Sequence, residues 1–138
     1  MDEKNLIEVI KVEPDKVARV TQIYDDLESM QNEVGGMIEE YMPFDDDIAL
    51  ICNEEGKLLR LPPSRGITDE NGKLMDIIAG PFFIAYAPIE SEKFLSMPEN
   101  LKEKYLDKFK YPERFFKDVN SGKISAVRYD PAKADLER

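Results

Sequence analysis

The chain has no histidine, and its 138 residues include a single cysteine, Cys52. Without an imidazole there is no histidine base, no histidine metal ligand, and no Ser-His or Cys-His nucleophile pair. One cysteine excludes an intramolecular disulfide and any multi-cysteine zinc site. Catalysis would fall to carboxylates, Lys, Tyr or a hard cation held by oxygen, and no cofactor is expected. Long hydrophobic runs are also missing. No window approaches the ~20 apolar residues of a membrane span. The charged start Met1-Asp2-Glu3-Lys4-Asn5 has no apolar stretch behind it, so no secretory leader is expected. The lone thiol fits a reducing, cytoplasmic setting.

Acidic residues are plentiful: 29 Asp and Glu stand against 19 Lys and Arg, a net charge of −10. Such a field repels a phosphate backbone, so direct nucleic-acid binding is not expected unless a basic patch is segregated. The acidity has two readings, solubility or carboxylate rows that mimic a nucleic acid. Apolar residues at 42% suit a globular protein, and the length suits one domain over residues 1–138.

Leu6 to Val12 is apolar and β-branched and reads as an interior strand, closed by Pro14. Val17 to Tyr24 reads as a second strand. Asp25 and Glu28 have capping-box spacing ahead of a short helix whose Leu27, Met30 and Val34 form an apolar stripe, with Gly35 at its left-handed end. Met37 to Met42 and the nearly continuous apolar run Ile48 to Asn53 read as strands. The turn Asn53–Lys57 reads as a hairpin tip leading into a strand Leu58 to Leu61 that Pro62-Pro63 ends. Asn71-Gly72 marks a tight turn. The hydrophobic run Met75 to Ala87 is interrupted by Gly80-Pro81, which implies a bend or two short strands. Ser96 and Glu99 have capping-box spacing for a helix to about Lys110, and a second helix is expected over about Glu113 to Val119. Ile124 to Tyr129 reads as an edge strand, and the tail from Asp130 as frayed. The fold class is α+β: a mixed or antiparallel sheet of five to six short strands with one short core helix and two C-terminal helices.

Several strings resemble one family. These are Leu27-Glu28-Ser29-Met30-Gln31 with Val34-Gly35-Gly36-Met37-Ile38-Glu39, then Cys52-Asn53-Glu54-Glu55-Gly56-Lys57-Leu58. Leu61-Pro62-Pro63-Ser64-Arg65 and Asp76-Ile77-Ile78-Ala79-Gly80-Pro81-Phe82-Phe83 follow. In order and spacing they are similar to the bacterial and phage family known as domain of unknown function 3846, over residues about 6 to 87. The segment about 92 to 129 is then a C-terminal helical extension. Ser64 stands where the family usually carries Asn, and Pro81 where a small polar residue is common. The resemblance implies a small cytoplasmic protein of phages and mobile elements and assigns no reaction.

The polar residues of those strings are the candidate binding residues: Gln31, Asn53, Glu54, Glu55, Lys57, Ser64 and Arg65. If the loop after Leu61 lies beside the turn at Gly56, Arg65 offers its planar fork to a carboxylate or phosphate, with Glu54 or Glu55 beside it. The alternative is structural: Asn53 bonds its own turn, and Arg65 clamps Glu54 or Glu55 internally. Asp45-Asp46-Asp47 and Asp69-Glu70-Asn71-Gly72 lack calcium-loop spacing and read as solvated loops. The aromatic residues Phe82, Phe83, Tyr86, Tyr105, Phe109, Phe115 and Phe116 read as core rather than as a stacking platform. Three functions remain open. One is a binding or accessory protein for a partner protein or a small anionic ligand. The second is an acidic decoy of a DNA-binding protein, and the third a hydrolase or transferase built on Glu54, Glu55 and Lys57.

Overall fold

A computed structural model describes residues 5–136. Its centre is a five-stranded sheet in the order β2-β1-β7-β4-β3. The strands are β1 (Leu6–Val12), β2 (Arg19–Tyr24), β3 (Ile38–Tyr41), β4 (Ile48–Asn53) and β7 (Phe82–Tyr86), and every neighbouring pair is antiparallel. The continuous apolar run of β4 follows from its place: every residue of it is buried, because both faces of the sheet are covered.

The two-residue period of the strands sorts side chains between those faces. Ile7, Val9, Ile23, Ala49, Ile51, Phe83 and Ala85 pack against Met30 and Val34 of helix α1 (Leu27–Val34). Ile10, Val12, Ile48, Leu50, Cys52, Phe82 and Ile84 face the other way. There they meet Ile67 and Ile78 of the hairpin β5 (Pro63–Thr68) and β6 (Leu74–Ala79), and Tyr105 and Phe109 at helix α2 (Glu99–Lys108). Each large apolar side chain so buried contributes about 1.5–3 kcal/mol. A second hairpin, β8 (Glu113–Lys117) and β9 (Ile124–Arg128), lies beyond α2, followed by α3 (Pro131–Leu136).

The α+β class and the antiparallel five-stranded sheet match the sequence reading, and the Gly80-Pro81 break does separate β6 from β7. Several local expectations need correction. Asp26 rather than Asp25 caps α1, accepting from the Ser29 amide at 2.7 Å. Ser96 does not cap α2; its Oγ accepts from the Glu8 amide at 3.0 Å, and Pro98 holds the cap position without a side-chain bond. Leu58 to Leu61 is not a strand. The chain coils through Glu54–Arg60 on turn bonds from Leu59 N to Glu55 O and from Leu61 N to Gly56 O, and β5 begins at Pro63 itself.

The expected helix over Glu113 to Val119 is strand β8. Asn120-Ser121-Gly122 turns the chain back into β9. The tail expected to fray from Asp130 forms α3 over Pro131–Leu136. Among the described residues no helix is long and apolar enough to cross a membrane.

Candidate functional site

Arg65 is fully buried, and its guanidinium never meets Glu54 or Glu55. Its Nε donates to the Phe109 carbonyl at 3.0 Å, one terminal nitrogen to Glu13 O at 3.2 Å and Ser64 O at 3.0 Å, and the other to Lys16 O at 2.6 Å. One planar fork thus ties β5 to the β1–β2 turn and to the end of α2. Burial pulls this group down to about 10, which leaves it charged at neutral pH. The expected bridge to the turn acids is therefore replaced by an internal staple. Ser64 beside it is buried with no partner for its Oγ.

Asn53 is also interior. Its Nδ2 donates to Val34 O at 3.1 Å, at the end of α1, while its Oδ1 accepts from the Glu55 amide at 2.8 Å. Gly56 turns where a side chain would collide: a Cβ there would stand 2.6 Å from the Ala79 carbonyl oxygen. Asn53 therefore ties the start of the turn to α1, and at Gly56 the turn passes so close to β6 that no side chain fits between them. Gln31 stays half-buried at α1, with Nε2 3.3 Å from the Met37 sulfur.

The remaining candidates lie outside. Glu54, Glu55 and Lys57 are exposed, and Lys57 Nζ meets Asp76 Oδ1 at 2.5 Å. Glu54 and Lys57 line a cavity of about 170 Å³ with Tyr41, Cys52, Asn53 and Asp76; Glu55 does not reach it. The Cys52 thiol, pointing at Glu39 O, is pushed up to about 11 by burial and so stays protonated at neutral pH. The turn also presents Leu58, 80% exposed, and Leu59, 55% exposed. Arg60 sits in the left-handed region at φ 58, a conformation that costs a non-glycine residue about 1–2 kcal/mol.

Two charged arrangements escaped the sequence reading. Lys11, buried in β1, donates to Glu33 O at 2.5 Å and pairs with Glu33 Oε2 at 2.6 Å, closing the C-terminal end of α1. Asp46 Oδ2 accepts from Lys104 Nζ at 2.5 Å and Tyr105 OH at 2.7 Å, on the wall of a cleft of about 510 Å³ between the 43–46 loop, the β5–β6 tip and α2. These two donors hold the Asp46 carboxyl below its usual range. Burial, with Asp46 second, raises the Tyr105 phenol. Only a long-range contact reveals either arrangement. Among the described residues no group of three or more His, Cys, Asp or Glu could hold a metal ion.

The chain belongs to the family described as Domain of unknown function (DUF3846), which matches residues 7–110. The match runs past the motif strings and through α2, whose Tyr105 and Phe109 complete the core and whose end receives Arg65. No curated protein and no solved structure matches the chain.

Proposed function

We propose that the protein is a binding protein of phage or mobile-element type that engages a partner protein through the turn Glu54–Arg60. One observation carries this reading. The turn is tied to α1 at its start by Asn53 and closed on itself by the Leu61 amide on Gly56 O at 3.0 Å, yet it turns Glu54, Glu55, Leu58 and Leu59 to solvent. Two adjacent exposed leucines between Lys57 and Arg60, with Glu54 and Glu55 earlier in the turn, form an apolar centre with a charged rim, the usual anatomy of a protein contact. A pinned loop also loses little entropy when it is covered.

A photo-crosslinking residue in place of Leu58 should capture one discrete partner from the native host. The purified partner should then bind the unmodified protein, and Leu58→Ser with Glu54→Lys should weaken that affinity more than ten-fold, roughly 1.4 kcal/mol or more. Unchanged affinity in the double variant would remove the turn from consideration.

A further inference from the structure

We propose that the β8–β9 hairpin is a binding face for single-stranded nucleic acid, an interface separate from the 54–60 turn. The charge of the chain is divided along its length. Residues 1–107 hold 11 Lys and Arg against 24 Asp and Glu, a net −13, whereas residues 108–133 hold seven against three, a net +4. Within the hairpin both acids are engaged. Glu113 Oε1 accepts from the Gly66 amide at 3.0 Å, and Asp118 Oδ1 accepts from the Asn120 and Ser121 amides at 2.8 and 3.3 Å. Lys117 and Lys123 are exposed, and neither enters an ion pair among the described residues. The guanidinium of Arg114 lies over the Tyr129 ring at 4.6 Å.

The strand period decides which aromatic ring is available. Glu113 and Phe115 turn inward onto β5, where Phe115 packs over Gly66. Arg114 and Phe116 therefore point away, and Phe116 is 55% exposed. Arg114 pairs across the ladder with Val127, itself 52% exposed, and Phe116 with Ser125. The outer face is thus an uncovered aromatic ring and an aliphatic neighbour beside Arg114, with the exposed Lys117 and Lys123 at the turn end of the ribbon.

A ring bordered by cations suits unpaired bases, which stack on it while the backbone follows the charges. A two-stranded ribbon can enter a duplex major groove, but that groove offers polar base edges rather than base faces to a phenyl ring. Single strands are therefore the better fit. At physiological salt charges beyond about 8 Å are screened, so a strand on the hairpin senses its local cations more than the acidic body.

Fluorescence anisotropy with labelled oligothymidylate of about 15 nucleotides, oligouridylate of the same length and a matching duplex tests this. Saturable binding to a single strand is expected. Three cations predict a slope of log affinity against log salt near −2 between about 50 and about 200 mM. Phe116→Ala should weaken binding about 5- to 100-fold at unchanged melting temperature, and Phe116→Leu should weaken it too, since it keeps bulk and loses the ring. Lys117→Gln with Lys123→Gln should flatten the salt slope. The idea is overturned by no saturable binding at low salt, by a duplex bound as tightly as either single strand, or by wild-type affinity in Phe116→Leu. Sedimentation showing self-association that Phe116→Ala abolishes would also overturn it, because a second copy would then cover this face.

Discussion

Replacing Arg65 with methionine keeps much of the side-chain volume and removes the fork. Three of its bonds reach residues 44, 52 and 49 positions away in sequence. Hydrogen bonds to a charged group contribute about 1.5–3 kcal/mol each, roughly 5–9 kcal/mol for the three together. Against that stands the cost of keeping a guanidinium out of water, several kcal/mol. The difference alone would be small, but the variant also leaves the carbonyls of Phe109, Glu13 and Lys16 without their donor. A net loss of about 3–5 kcal/mol is therefore expected, a large share of the 5–15 kcal/mol of a typical domain. At ~3 °C per kcal/mol the melting temperature should fall about 10–15 °C, read by circular dichroism and checked by urea unfolding. Arg65→Lys should fall between, since one ammonium cannot span three separated carbonyls. A loss below about 1 kcal/mol in Arg65→Met would refute the staple, leaving an arginine whose burial costs as much as its bonds return.

Four further outcomes follow from single positions. Gly56→Ala drives a methyl group into the Ala79 carbonyl, 2.6 Å from the ideal Cβ, and should cost about 1–3 kcal/mol in urea unfolding. Cys52, with its thiol raised to about 11 by burial, should react with a disulfide reagent at pH 8 only as fast as the protein opens, and at full rate in denaturant. The Asp46 carboxyl is held below its unfolded value by Lys104 and Tyr105. Its contribution is present above the unfolded value of 3.8 and is lost as pH falls through the lower folded one. Wild type should therefore exceed Asp46→Asn in melting temperature at neutral pH, and the two should converge on acidification; a constant gap would sink the assignment. Ser64→Ala removes a buried hydroxyl that has no partner and should be neutral or stabilising by up to about 1 kcal/mol in chemical denaturation, whereas a clear loss would mean the hydroxyl is satisfied.

The parts of the fold that were legible in the sequence are those whose cause is local. Ile48 to Asn53 reads as a two-sided interior strand because every position is apolar or small until Asn53, and it is buried throughout. Gly80-Pro81 divides a hydrophobic run because neither residue sustains a ladder, and Gly35 at φ 78 ends α1 as its spacing implies. The hairpin β8–β9 was not legible. Phe115, Phe116 and Val119 fit one helical face, and only pairing with Ile124–Arg128 makes the segment a strand, splitting the two phenylalanines between inside and outside. That single change of period turns a supposed core residue into an exposed ring on the same face as Arg114. Arg65 failed for a related reason. Whether an arginine after Pro62-Pro63 points out or in depends on carbonyls more than forty residues away.

The family strings therefore mix two kinds of residue, and substitutions in them carry different information. Asn53 and Arg65 bond to α1, the β1–β2 turn and the end of α2, and Gly56 gives the turn room to pass against β6. A binding defect at any of these would arrive through a displaced or unfolded turn and says nothing about what the turn touches. Glu54, Glu55 and Leu58 are exposed, so their replacement leaves the staple and the ladder in place. Surface changes away from special features usually shift stability by no more than about 0.5 kcal/mol. Lys57 lies between the classes, because its partner Asp76 sits on β6. Affinity plotted against melting temperature for these variants separates the two kinds. Framework substitutions should lose both together, and contact substitutions should lose affinity at constant melting temperature. If Glu54, Glu55 and Leu58 variants fell on the framework line, the turn would be one more piece of scaffold.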